Sequence, residues 1–227
     1  MKKLFKHILD ALPPHSRWLL LRRIRALRNS LFPVQGKDNR ISLHGNIVRL
    51  KKSIVGNANE VVIEGATVMD SSIRIRGNNN RLVIESGCII GKGCSFWLEG
   101  NGLSISVGEN TTCTHDVHFC AQEDGSAITV GKDNMFSNNI IVRTSDSHPI
   151  YSIQDGTRIN PPKNVVMGNH IWVAPNSKVM KGAVIEDDVI VGSNTMVSGT
   201  VPSHSLVVGI PAKVVKENVT WTREELY

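Results

Sequence analysis

Residues Met167-Gly-Asn-His-Ile-Trp172, Val173-Ala-Pro-Asn-Ser-Lys178, Val179-Met-Lys-Gly-Ala-Val184, Ile185-Glu-Asp-Asp-Val-Ile190, Val191-Gly-Ser-Asn-Thr-Met196 and Val197-Ser-Gly-Thr-Val-Pro202 form an unbroken run of six-residue blocks. The first place is always aliphatic or Met: Met167, Val173, Val179, Ile185, Val191 and Val197. The fifth holds Ile171, Ser177, Ala183, Val189, Thr195 and Val201, all small or β-branched. An α-helix repeats its apolar residues every 3.6 positions and a lone strand every 2.0. A period of six fits neither. It fits a chain that turns a corner every six residues and sends one side chain inward per short strand. Three such sides close a triangular coil of about 18 residues, the hexapeptide β-helix among repeat architectures.

Upstream, the same repeat is looser. From Val34 onward, Gly- and Asn-rich turns alternate with aliphatic strands, and the anchors Leu43, Ile63, Ile84, Val107 and Val130 stand 20, 21, 23 and 23 residues apart. These are coils with a few residues added at one corner. Within them sixes reappear: Ile63, Met69, Ile75; Ile84, Ile90, Phe96; Val107, Cys113, Phe119; Val130, Phe136, Val142. Corner residues such as Asn78, Asn79 and Asn80 suit the left-handed turn conformation, a structural duty.

The register fails once. After Val142 the next anchors fall on His148, Gln154 and Asn160, all polar, and the pattern resumes one residue late at Met167. The interval carries His148-Pro149, Asp155-Gly156 and Pro161-Pro162, a loop composition. A loop over 148–165 extruded from a regular scaffold is where function is most often carried. The expected fold is all-β: a parallel β-helix over 34–211, with a tail over 212–227 that reads as a short terminal helix.

Charge divides the chain unequally. Residues 1–33 hold eight Lys/Arg and one Asp, whereas the other 194 residues hold 18 Lys/Arg and 19 Asp/Glu. The basic pI therefore belongs to the N-terminal segment, and nothing marks the main body as a nucleic-acid partner. That segment reads as helical, with Ser16 as an N-cap and Leu20, Ile24, Leu27 and Leu31 on one side. It either caps the open end of the solenoid or lies on an anionic membrane surface. No apolar run approaches the ~18 residues of a membrane span, and the Met-Lys-Lys start lacks the pattern of a secretory signal. Cys88 and Cys94 fall at the small fifth place of their blocks and Cys113 at a first place; together with Cys120 they offer no disulfide framework or CxxC site, which fits a reducing, cytoplasmic setting.

Asp146-Ser-His148-Pro, the polar stretch ending Arg158-Ile-Asn-Pro-Pro-Lys, Val165-Val-Met-Gly-Asn-His-Ile-Trp172, the closing blocks and Val207-Val-Gly-Ile-Pro-Ala-Lys213 resemble the hexapeptide-repeat O-acetyltransferases. The match spans roughly residues 128–216 and is strongest to enzymes that acetylate sugars and capsular polysaccharides. The resemblance implies a left-handed β-helix, a homotrimer, acetyl-CoA as co-substrate and a saccharide acceptor. It also assigns residues. His148 corresponds to the catalytic base, and a following Trp comes 24 residues later, as Trp172 does here. Deprotonating a sugar hydroxyl needs a base, and an imidazole suits that task. Trp172 would border the acetyl-CoA site, its main-chain N–H facing the oxyanion. Ala174, Ser193 and Ser198 would border the pantetheine arm, and Lys213 and Lys216 would approach the phosphates. Here the chain departs from the family: the basic residue often found after the position of Ser198 is Gly199. His118 falls near a substrate-contacting position, Asp146 supports the loop, and Tyr151, Arg158 and Asn160 are candidate acceptor contacts.

Three rivals follow from the same pattern. An N-acetyltransferase of an amino-sugar nucleotide shares the fold, but the Asp-Ser-His-Pro…Trp pairing favours a hydroxyl acceptor. A zinc hydratase of the γ-carbonic anhydrase kind would need three histidines from neighbouring coils. His115 and His118 are three apart on an extended segment, facing opposite ways, so no metal is expected. A non-enzymatic β-helix scaffold would show no turnover.

Overall fold

A computed structural model describes residues 13–17, 20 and 33–226. The capping or membrane role expected of residues 1–33 falls mostly outside them. One helical turn is described there, over residues 14–17, with the Arg17 N–H bonded to the Pro13 carbonyl at 2.9 Å. It begins at Pro14, so Ser16 lies inside the turn and is not its N-cap. Proline suits a first helical position because its missing N–H has no partner to lose there.

From Val34 the chain winds as a three-sided solenoid of parallel strands, each pairing with the strand one coil before and one coil after. The inward positions stack into three rows. The first face carries Leu43, Ile63, Ile84, Val107, Val130, Met167, Ile185 and Val201. The second carries Val68, Ile90, Cys113, Phe136, Val173, Val191 and Val207. The third carries Ile73, Phe96, Phe119, Val142, Val179 and Val197. These rows meet in one buried cluster along the axis. Phe96 stacks on Phe119 at 5.3 Å, and Phe136 meets Phe119 edge-on at 5.5 Å, filling the centre with aromatic contact.

Three expectations are corrected. In the coil starting at Ile63, Val68 occupies the inward row and Met69 is 37% exposed, because Gly65 turns the corner one residue early at φ +61°. At the far end Val201, expected at a fifth place, pairs with Ile185 in the first-place row, since the Ser198-Gly199 corner is shortened. The C-terminal tail is not helical: Lys213–Glu217 is a strand antiparallel to Ser205–Val208.

The corners explain the Gly and Asn content. Gly77 has φ +127°, and a Cβ there would lie 1.8 Å from the carbonyl oxygen of Gly100 in the next coil, so no other residue fits. Of the three asparagines expected in left-handed turns only Asn79 is one, at φ +57°. Asn78 and Asn80 instead build ladders along the axis. Asn57 N–H donates to Asn78 Oδ1 and Asn78 N–H to Asn101 Oδ1, while buried Asn80 donates to the Gly100 carbonyl. Such bonds satisfy the corner amides that lie outside the strand ladders. Cys88, Cys94 and Cys113 are buried free thiols, and burial pushes the Cys88 thiol up to about 11.

Candidate active site

The loop after the third-face strand is a short hairpin on a polar base. Ile159 N–H bonds to the Ile150 carbonyl at 2.9 Å, Ser152 N–H to the Thr157 carbonyl at 2.8 Å, and Tyr151 bridges Arg158. His148 stands at its entrance, exposed, its ring making no hydrogen bond or ion pair to another described residue. The backbone around it is fixed from below. Asn160, only 8% exposed, donates its amide to the His148 carbonyl and to Asp146 Oδ2, both at 2.9 Å. Its Oδ1 accepts the Ile150 N–H at 2.6 Å. One buried amide thus clamps both sides of the His-Pro step.

Asp146 in turn accepts from Lys181 Nζ at 2.5 Å, and Lys181 also donates to the Asn160 and Pro161 carbonyls. Lys181, then Asn160, hold the Asp146 carboxyl below its ordinary value. Arg158 forms a two-pronged pair with Glu123, at 2.5 and 2.9 Å, and Ser145 donates to the same carboxylate. Arg158, then Ser145, lower the Glu123 carboxyl.

Asp146 is bonded to Asn160 and Lys181 beneath the loop. Arg158 is engaged by Glu123, and Asn160 by His148, Asp146 and Ile150. Tyr151 remains exposed on the hairpin. Lys181, Glu123 and Ser145 were not anticipated. Lys181 sits in an ordinary hexad, and nothing in its sequence neighbourhood points to a partner 35 residues away.

Trp172 lies on another side of the prism. It points outward from the second face, between Met135 and Ile190 in the ladder, with Nε1 3.3 Å from Ser137 Oγ. Its main-chain N–H donates to the Val189 carbonyl at 2.9 Å. The expectation that this N–H faces an oxyanion is therefore overturned, because a strand amide in a parallel ladder is already paired with the next coil. Ala174 is buried, with its N–H likewise bonded to Val191. Trp221, 6% exposed, packs 6.2 Å from Trp172 and stacks on His170 at 4.3 Å. A lone Trp in a polar tail was the available signal for that contact.

The remaining cofactor candidates cluster at the last coils. Trp172, Ile190, Leu206 and Lys216 occupy successive positions of one outward row. Ser193 is exposed at a corner beyond it. Ser198 shares a hollow of about 180 Å³ with Pro211 and Ala212, immediately before Lys213. Both lysines are exposed on the terminal strand. His118 faces outward from the third face, bonded to Ser95 Oγ at 2.8 Å, while His115 lies beyond the Asp116 corner. Among the described residues no three His, Cys, Asp or Glu side chains are gathered to hold a metal ion.

The chain is 33% identical over 199 residues to a polysialic acid O-acetyltransferase of Neisseria meningitidis, covering 86% of this chain and 90% of that one. The chain belongs to the hexapeptide-repeat O-acetyltransferases. The crystal structure of the polysialic acid O-acetyltransferase OatWY superposes with a TM-score of 0.77 at 31% identity, over 86% of this chain and 93% of that one. A putative lipopolysaccharide biosynthesis O-acetyltransferase of Escherichia coli K-12, WbbJ, is 27% identical over 126 residues, 52% of this chain and 62% of that protein. No family model matches the chain. As a member of these O-acetyltransferases, the protein is a left-handed β-helix enzyme of acetyl-CoA-dependent O-acetyl transfer to saccharides. No helix among the described residues is long and apolar enough to cross a membrane.

Proposed function

We propose that His148 is the general base that takes the proton from a saccharide hydroxyl as it attacks the acetyl-CoA thioester, and that the acceptor belongs to a surface polysaccharide. The observation that carries this reading is an unengaged, exposed imidazole whose backbone is held by a buried amide. Such a group is free to meet a substrate without surrendering its position. The names of the relatives support a polysaccharide acceptor.

Acetyl-CoA runs along the second face toward the C-terminal coils. Trp172 flanks the thioester end, Ala174, Ser193 and Ser198 border the arm, and Lys213 and Lys216 meet the phosphates. Four successive ladder positions from Trp172 to Lys216 span about 14 Å at the usual strand spacing. His148 leaves the prism between the third and first faces, whereas Trp172 sits on the second. The two residues thus stand on different sides of one chain. We infer a three-fold assembly in which His148 of one copy serves the second face of its neighbour. The outward second-face row supports this, because Ile89, Thr112, Met135, Trp172, Ile190 and Leu206 carry no charge before the row ends at Lys216. A free-thiol assay with purified protein, acetyl-CoA and a panel of saccharides tests the reading: turnover with at least one acceptor is expected, and none with any would remove it.

A further inference from the structure

The segment after the last strand, residues 218–226, forms no strand or helix of its own, yet its contacts follow an order. It lies along the corner where the first face turns into the second. That corner repeats one residue per coil, Asn110, Asp133, His170, Asp188 and His204, each left-handed with φ between +54° and +60°. The tail descends this row rung by rung. Val219 N–H donates to the His204 carbonyl at 3.0 Å, Thr220 Oγ1 to Asp188 Oδ1 at 3.1 Å, and Trp221 Nε1 to the His170 carbonyl at 2.8 Å. Arg223 closes the clasp. Its Nε donates to Asp133 Oδ1 at 2.9 Å, and its Nη atoms to Thr112 Oγ1 and the Asn110 and Asn134 carbonyls. Five rungs are four coil spacings, about 19 Å.

The coils do not need this strap in order to close. Every N–H in the corner row already donates to the coil before it: Asn110 to Ser86, Asp133 to Glu109, His170 to Lys132, Asp188 to Asn169 and His204 to Asp187. Ordering an extended tail also costs conformational entropy. What the strap adds is an indole at the edge of the second face. Trp221 is buried, its ring stacked on His170 at 4.3 Å, and His170 Nδ1 is bonded to Asp188 Oδ1 at 2.8 Å. The Arg223 guanidinium lies 5.5 Å from the Trp221 ring centroid. An indole fixed in this way meets Trp172 at 6.2 Å and 48°. Trp172 stands outward on a flat face, with a 3.3 Å bond from Nε1 to Ser137 Oγ. One bond at the ring's edge leaves its tilt broad, because the outer torsion of an aromatic side chain has shallow wells. An aromatic neighbour narrows it.

We propose that Trp221 is a positioning residue for the acetyl-CoA site: the strap holds its indole against Trp172 and so fixes the ring that flanks the thioester. Trp221 acts through Trp172 and touches no reacting atom. The consequence for the cofactor rests on the placement of acetyl-CoA along the second face, whereas the coupling of the two rings is measurable without it.

The test uses full-length protein and two readouts. Without ligand, indoles this close and tilted give an exciton couplet in circular dichroism, which Trp172→Phe and Trp221→Leu should each remove. With acetyl-CoA, Trp221→Leu should raise Kd and KM about fivefold and leave the acceptor's KM unchanged. Trp221→Phe should recover most of that loss. Thr220→Val, which loosens the same strap without touching either ring, should change Kd less than about twofold. The double variant Trp172→Ala/Trp221→Leu should bind acetyl-CoA no worse than Trp172→Ala alone, because coupled residues are not additive. A couplet that survives Trp221→Leu, additive losses in the double variant, or an equal loss in Thr220→Val would overturn the proposal. So would a Trp221→Leu protein with unaltered Kd where Trp172→Ala binds weakly. If Trp172→Ala itself leaves Kd unchanged, the placement of the cofactor at Trp172 falls, and the couplet alone decides whether Trp221 orders that ring.

Discussion

Lys181 Nζ lies 2.5 Å from Asp146 Oδ2, tying a residue of the regular solenoid to the segment that enters the His148 loop. Together with Asn160 this contact sets where His148 stands, although neither partner touches the imidazole. Lys181→Met should therefore act through position. We expect kcat to fall about tenfold or more with little change in the KM for acetyl-CoA, since a misplaced base costs rate before it costs cofactor binding. Equal loss of both parameters would mean that Lys181 serves the cofactor side instead.

Acid should open the same loop. The Asp146 and Glu123 carboxyls are held low by Lys181 and Arg158 respectively. A depressed folded-state value means stability that is present above the ordinary carboxylate range near ~4 and lost as pH falls through the lowered values. Limited proteolysis of the hairpin should thus stay slow from neutral pH down to about 5 and accelerate only below about 4. Acceleration beginning near pH 6 would point to a histidine instead.

Gly77 tests the solenoid. With φ +127° and a Cβ position 1.8 Å from the Gly100 oxygen, Gly77→Ala forces two coils apart. A loss of about 3 kcal/mol or more in urea unfolding is expected, against a few tenths for alanine at Gly199, whose Cβ would meet nothing within 4 Å. Similar losses at both would remove the inter-coil contact as the cause.

Replacing Lys213 and Lys216 together by Gln should raise the KM for acetyl-CoA several-fold and leave the acceptor's KM nearly unchanged. The exposed strand that bears them pairs only along one edge, so thermal stability should move little. An unaltered KM would exclude both lysines from phosphate binding.

Most of the scaffold was legible because each coil repeats one physical requirement: an inward aliphatic at each side and a turn residue at each corner. That reading placed Leu43, Ile63, Ile84, Val107 and Val130 in a single row, as the ladder has them. It misjudged Met69 and Val201 because a corner can shed residues where Gly permits, and a periodic count does not see the corner's geometry. The extruded loop was legible as a break in period, and His148 as its only imidazole. The residues that hold it were not. Lys181, Glu123 and Asn160 meet Asp146, Arg158 and His148 only through the winding of the coils. The error over the Trp172 N–H has the same origin: which amides are free depends on the ladder, and the next coil already takes this one.

The proposed sharing of His148 and Trp172 between three copies is measurable as mass. Light scattering should give a mass near three times 24.9 kDa. A charge introduced among the apolar residues of that row, Ile89→Asp, should lower mass and activity together if the site is shared between copies. A fully active monomer would contradict the shared site.

The central claim is that His148 is the base, and His148→Ala measures it most directly. Turnover and acetyl-CoA affinity are compared in one preparation, with folding checked by circular dichroism. The loop's hydrogen bonds to this residue run through its backbone, so the variant should keep the clamp. General-base assistance contributes about 10²–10⁴-fold, and kcat should fall by that range while acetyl-CoA binds as before. A folded His148→Ala protein with near wild-type kcat would contradict the account and leave this histidine an ordinary loop residue.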